Sequence, residues 1–293
     1  MADPNMRLPQ YVSRNGRLIP PAEAVISIFN PVIYAAFGVY ESIQLSRGVI
    51  FRLEEHLERL RFSADAIGLP LPADLATIGR WTREVVAAHG CQDALIRQFA
   101  LGPSPENGPE VFIWLEPPRA LPPTVFEQGV GAVTFVGERA LPQAKSLNTL
   151  VNHLAKTRAL AAGEHEGLLV NRDGCVTEGS SSNLFVVQEG ALHTAPASDV
   201  LEGVTQQEVL KLAERLAIPV VRRPLPLAER DRWDEAFLTS TSRHVLPLVR
   251  IDGRPIGDGR PGPVTLRLRQ AFEDHFWSVI EAERRRATTP VGL

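Results

Sequence analysis

Between Gly167 and Ala195, four five-residue apolar runs alternate with turn residues. They are GLLVN, CVTEG, NLFVV and ALHTA, and they are separated by Arg172-Asp173-Gly174, by three serines and by Glu189-Gly190. Such runs are too short for helices, and their spacing is that of an antiparallel meander. No other stretch limits the fold as much, because a chain with this middle must build a sheet from neighbouring strands.

The flanking chain extends that pattern. YVSRNGRLIP reads as a hairpin with its turn at Asn15-Gly16, inside an otherwise irregular lead-in over residues 1–30. VYESIQL and RGVIFRL read as strands joined at Ser46–Gly48. Leu53 to Ile67 and Leu75 to His89 have the helical period, and each is stopped by a glycine. Residues 94–102 and 110–116 are strands, and the proline-dense run that follows is read as a linker over 118–129. It divides an N-terminal α/β domain, 1–117, from a larger C-terminal domain, 130–293.

In the second half, VGAVTFVG (130–137) is a strand. Leu147 to Ala162 is a helix, with Leu150, Val151, Leu154, Ala155 and Leu160 expected on its buried side. Thr205 to Ala217 and Pro263 to Arg286 are further helices, the latter entered through Pro-Val-Thr. IPVVRRPLPL and EAFLTST are strands, and a hairpin turns at Asp252-Gly253. Strands outnumber helices and pair mostly as neighbours, so the expected class is α+β rather than a doubly wound sheet.

Composition excludes several functions. A net charge of -3 offers nucleic acid or an anionic membrane no attraction, and the two cysteines form neither a disulfide framework nor a metal-binding CxxC pair. MADPNMRLPQ lacks an apolar signal core and no apolar run reaches the ~18 residues of a membrane span, so a cytoplasmic location is expected.

The cations are informative. Among 31 Lys and Arg residues only Lys145, Lys156 and Lys211 are lysines. A lysine retained against that bias suits what arginine cannot do, which is to lose its proton and attack a carbonyl. Lys145 lies in LPQAKSLN, at a loop-to-helix junction with small neighbours. Glu178 precedes Gly179 and three serines; a carboxylate there can face a pyridine nitrogen and keep it protonated. LEGVTQQEVL brings Val204 and Thr205 to a helix start, where N–H groups favour phosphate, although Thr205 is equally readable as a plain helix cap. FLTSTSRH ends a strand in five polar residues, Thr239 to Arg243, which is long for a plain turn. Arg59, one arginine among many, makes no claim by itself.

Taken in order, AKSLN, VTEGSSSNLF, LEGVT, TSTS and GPVT resemble the class IV, fold-type IV aminotransferases that use pyridoxal phosphate. The likeness runs from Val39 to Phe272. It implies two domains with the cofactor between them, and a homodimer. It also implies that Lys145 holds the cofactor as a Schiff base and moves the proton at the substrate carbon. Glu178 would pair with the pyridine nitrogen, while Arg59, Val204, Thr205, Ser240 and Thr241 would hold the phosphate. Tyr40 would line the substrate pocket, with Arg97, Leu101, Ser242 and Arg243 as further pocket candidates.

Within the family, D-amino acid aminotransferases carry a carboxylate-trapping arginine where this chain has Leu101 in ALGPSP. Arg97 in LIRQF resembles the arginine of the branched-chain group, and Arg243 is equally a carboxylate ligand or a surface residue. The expected reaction is therefore ping-pong transamination from an apolar, branched-chain-type amino acid to a 2-oxo acid. A D-amino acid or (R)-amine donor is the alternative, and aminodeoxychorismate lyase chemistry is less favoured.

Overall fold

The computed structural model describes residues 9–118 and 120–288. The first eight residues, on which the reading of a missing signal core rests, lie outside the described residues. The chain divides into two compact units, one holding the residues up to 118, 144–148 and those from 276, the other 120–143 and 149–275.

The first unit contains β1 (Val12–Arg14), β2 (Arg17–Ile19), the short helix α1 (Val32–Ala35), β3 (Gly38–Ser46), β4 (Val49–Ile50), α2 (Leu53–Ala66), α3 (Leu75–His89), β5 (Ala94–Leu101) and β6 (Glu110–Glu116). Its strands form one antiparallel sheet in the order β2-β1-β6-β5-β3-β4. The hairpin read in the lead-in is therefore part of this sheet. Strand alternation sorts the side chains by face. Val39, Ile43, Ile96, Ala100, Val111, Ile113 and Leu115 meet Leu53, Leu57, Leu60 and Ala64 of α2 and Ile78 and Val85 of α3 in one core. Truncating a residue such as Ile96 to alanine in this core costs about 2–5 kcal/mol. The other face carries Tyr40, Ser42, Arg97, Phe99, Phe112 and Trp114 in two cross-strand rows.

The second unit contains α4 (Pro123–Gln128), β7 (Val130–Val136), α5 (Leu150–Ala161), β8 (Glu166–Val170), β9 (Val176–Gly179), β10 (Ser182–Gln188), β11 (Ala191–Thr194), α6 (Val204–Arg215), β12 (Val220–Arg222), β13 (Glu235–Ser240), β14 (His244–Ile251), β15 (Arg254–Pro255) and most of α7 (Pro263–Thr288). The proline-dense stretch holds α4, whose Val125 and Phe126 pack on the core of this unit.

The meander expected here is only part of a larger ring. β9 pairs with β8 and also with β10, so β7, β8, β9, β10, β13 and β14 close on themselves. Two joints of the ring, β14 to β7 and β7 to β8, are parallel. A parallel joint needs a crossover, and α5 supplies the one between β7 and β8. Closure explains why β8, β9 and nearly all of β10 are buried on both faces, which a half-solvated meander would not be.

α5 corrects the expected buried side. Ala155 and Ala159 are buried, whereas Leu150, Leu154 and Leu160 are 65%, 46% and 63% exposed. The reason is the closeness of helix and sheet. A Cβ at Gly167 would stand 2.4 Å from the Ala155 carbonyl oxygen, so only small residues fit the contact.

Candidate active site

Lys145 belongs to a short segment laid along the edge of β3. β3 pairs with β4 only at Leu45 and Ser46, which leaves Gly38–Tyr40 to the incoming chain. Tyr40 N–H donates to the Lys145 carbonyl at 2.9 Å, and Leu147 N–H to the Gly38 carbonyl at 2.9 Å. Lys145 N–H donates to Ser63 Oγ on α2 at 2.9 Å. The backbone of the lysine is thus held from two elements, while Nζ lies 4.5 Å from the centroid of the Tyr40 ring.

Around it, the first unit collects three of the expected pocket residues, Tyr40, Arg97 and Leu101, on one sheet face. The Arg97 guanidinium is 5.7 Å from the ring centroids of both Tyr40 and Phe99, and it donates to Ser42 Oγ. Phe99 and Trp114 follow at 4.8 Å. Leu101 is buried in a small cluster with Val12, Ile19 and Phe112, beside an apolar cavity of about 290 Å³. Arg59 is on the opposite, helix-covered side, where its Nε and Nη2 donate to Glu41 at 2.8 and 2.7 Å.

In the second unit, Glu178, Asn183, Thr239 and Val245 form one cross-strand row over β9, β10, β13 and β14. Glu178 is buried. Its Oε1 accepts from Arg139 Nη1 at 3.2 Å and its Oε2 from Leu201 N–H at 3.3 Å. Asn183 Nδ2 donates to the Leu201 carbonyl at 2.6 Å, so the row fixes the segment that leads into α6. Gly203 is the N-cap of that helix, and a Cβ there would meet Asn183 Oδ1 at 2.3 Å. Val204 and Thr205 are consequently its first two residues, and Thr205 is not the cap that the sequence equally allowed.

Ser240 and Thr241 stand at the same end of the sheet. The five polar residues read as long for a turn make a tight hairpin with Ser240 paired to His244, and Thr241, Ser242 and Arg243 at its tip.

Arg243 has a different employment from the one its sequence position suggested. Nε donates to Ser240 Oγ, Nη1 faces His165 Nε2 and Glu166 Oε2, and Nη2 donates to the carbonyl and hydroxyl of Ser181. Those are five partners for the five N–H groups a guanidinium has. Glu166 shares the inward parity of Leu168 and Val170 and also accepts from Ser180, Ser181 and Ser182. With these partners the guanidinium is engaged within this unit.

The donor set fits a phosphorylated pyridine aldehyde. The first turn of α6 and the hydroxyls of Thr205, Ser240 and Thr241 are uncharged donors suited to phosphate at a helix N-terminus. Thr239 Oγ1, on the same face, is buried with no partner among the described residues. Glu178 is a buried carboxylate suited to a ring nitrogen, and Lys145 brings an amine. Sequence reading missed Glu41, His56, Ser63, Arg139 and Glu166. The signal for the first three was present: Glu41 has the inward parity of Val39 and Ile43, and His56, Arg59 and Ser63 recur at helical spacing.

An α+β fold with a lysine amine in one unit, and a buried carboxylate and a helix start suited to phosphate in the other, has the donor types that a pyridoxal phosphate enzyme needs. A model of the amino-transferase class IV family matches residues 38–251, and the chain belongs to that family. A putative branched-chain-amino-acid aminotransferase of Methanocaldococcus jannaschii is 34% identical over 275 residues, covering 89% of this chain and 94% of that protein. A D-alanine aminotransferase of Bacillus licheniformis is also 34% identical, covering 90% and 96%. The solved branched-chain amino acid aminotransferase of Thermobaculum terrenum, in its PLP-bound holo form, aligns at a TM-score of 0.81 and 29% identity over 92% of this chain and 94% of that one. The protein is an aminotransferase with pyridoxal phosphate as its cofactor. Among the described residues no helix is long and apolar enough to cross a membrane.

Proposed function

We propose that this aminotransferase moves the amino group of an apolar, branched-chain-type amino acid to a 2-oxo acid in two half-reactions. The observation that carries this reading is the open face of the first sheet. It offers the aromatic rings of Tyr40, Phe99 and Trp114 beside the Arg97 guanidinium, with Arg14 farther along over Phe112, while Leu101 is packed into an apolar cluster. Such a surface favours an apolar side chain, with Arg97, whose Nε also stands 3.5 Å from Glu116 Oε1, as the candidate for the carboxylate.

When bound, the cofactor supplies the electron sink that makes the proton on the donor's Cα acidic. Lys145 Nζ would hold the cofactor through its aldehyde carbon and, once displaced by the donor's amine, would be free to take and return that proton; its backbone clamps at Ser63 and Tyr40 fix where the amine can reach. Glu178, oriented by Arg139 and Leu201 N–H, would present its charge to the ring nitrogen. Val204 and Thr205 with Ser240 and Thr241 would hold the phosphate, and Arg59 is assigned to the same anion.

A second reading, a D-amino acid or (R)-amine donor, is favoured by the equal identity to the D-alanine enzyme. One panel decides between them: L-amino acids, D-amino acids and (R)-amines against a single 2-oxo acid. L-leucine-type donors should lead by at least tenfold, and a lead by D-alanine or an (R)-amine sinks the branched-chain reading. Lys145→Ala should lose turnover and the borohydride-reducible yellow chromophore together. A homodimer is part of this proposal, supported by the exposed apolar stretch of Val25, Ile28, Phe29, Ile33 and Tyr34 in the first unit.

A further inference from the structure

Glu41 was singled out by no motif, yet among the described residues of the first unit it is a fully enclosed charge. Its carboxylate has no exposure, and it meets Arg59 as a fork: Nε to Oε1 at 2.8 Å and Nη2 to Oε2 at 2.7 Å. Behind it, His56 Nδ1 stands 2.8 Å from Oε2, and the imidazole is also buried. Burial alone would raise the carboxyl pKa, but Arg59 and His56 outweigh it and hold Glu41 ionised well below the usual carboxylate range. Burial, although opposed by Glu41, keeps His56 below its ordinary value, so the ring is neutral and Nδ1 carries the proton it donates.

A fold gains little from such an arrangement. Desolvating two charges costs several kcal/mol, and apolar residues of the same volume often pack as stably. What the fork does provide is orientation. A guanidinium has five N–H groups in one plane, and committing two of them to Glu41 fixes the plane and direction of the other three. The same helix face carries Ser63, which pins the backbone of Lys145, so α2 registers the arginine and the lysine against one strand.

We propose that Glu41, backed by His56, is a positioning residue that sets the Arg59 guanidinium for the phosphate of the cofactor. This rests on the reading of Arg59 as a phosphate ligand. Charge alone predicts the opposite effect of removing Glu41, because an arginine without its carboxylate is a stronger attractor of anions. Orientation and charge therefore give effects of different sign, and the sign is measurable.

The experiment compares the binding of pyridoxal phosphate and of pyridoxal, which lacks the phosphate, to the apo-protein by absorbance titration. Both report Lys145, but only one reports the anion site. Glu41→Gln keeps the volume of the side chain and is expected to weaken pyridoxal phosphate at least tenfold while leaving pyridoxal within twofold. His56→Asn, whose amide can donate from nearly the same place, should retain most of the phosphate preference, and His56→Leu should lose it. Unchanged or tighter binding of pyridoxal phosphate by Glu41→Gln overturns the proposal in favour of charge. Equal loss of both ligands overturns it in favour of a purely structural role. If Arg59→Lys leaves the phosphate preference of the parent intact, the assignment of Arg59 fails first. If the unaltered protein binds neither ligand, it is the cofactor site itself that fails.

Discussion

Glu166 accepts from three serine hydroxyls, from Gly167 N–H and from Arg243, and it does so with no exposure to solvent. Burial works against its charge, but the cations Arg243 and Lys156 and the Ser180 hydroxyl prevail and lower its pKa. Glu166→Gln leaves the largely buried Arg243 facing an uncharged amide, and breaking a buried pair in this way costs about 3–5 kcal/mol. Urea denaturation should show that loss, with a midpoint shift and an unchanged slope. His165 stands beside the pair, and burial, Arg243 and Lys156 together hold its pKa at about 4 instead of 6.5. The unfolded chain therefore binds a proton that the folded one refuses between those values. Stability is complete above about 6.5 and falls as the pH drops toward about 4. His165→Gln should flatten the denaturation midpoint over that window; a profile identical to the parent's would remove His165 from the account. Arg139 makes a different prediction. Arg139→Met leaves Glu178 without its guanidinium partner, and the absorbance maximum of the bound cofactor should shift while pyridoxal phosphate still binds.

Helix α5 shows how packing distance overrides hydrophobicity at the level of an element. A helical wheel puts leucines inward by preference, yet the sheet admits the helix only where Ala155 and Ala159 let the backbone approach Gly167. Gly167→Ala must displace the helix or bend the strand, because the new Cβ has no flexible side chain to push aside. Overpacking of this sort costs about 1–3 kcal/mol, readable as a lowered melting temperature. Leu154→Ala, by contrast, should leave the melting temperature of the protein nearly unchanged. α2 is the complementary case, since its period was legible in the chain and its buried stripe includes the polar residues His56 and Ser63.

For the whole molecule, the proposed homodimer makes a direct prediction. Phe29→Ser combined with Ile33→Asp removes apolar area from the exposed stretch in the first unit, and sedimentation should report a shift toward monomer. If the parent protein already sediments as a monomer, the homodimer is wrong. Much of the architecture was readable beforehand. The strands of both sheets, the turns at Asn15-Gly16 and Asp252-Gly253 and the helices α2, α3, α6 and α7 follow from period and punctuation, because each depends on residues a few positions apart. Ring closure did not, because the pairing of β9 with both neighbours and the parallel joints at β7 depend on strands far apart in sequence.

The same division holds at the site. Lys145, Glu178, the start of α6 and the Ser240–Thr241 turn are local arrangements, and their order along the chain was enough to point to pyridoxal phosphate chemistry. The family resemblance also led to the expectation that Leu101 stands where D-amino acid aminotransferases carry a carboxylate-trapping arginine. Only the tertiary structure decided that Arg243 is consumed by Glu166, 77 positions away, and that Arg59 is forked onto Glu41, 18 positions away. Those partners meet because strand register and helix packing bring them to one face. A guanidinium's partner is chosen by that meeting in space, and sequence spacing holds no record of it.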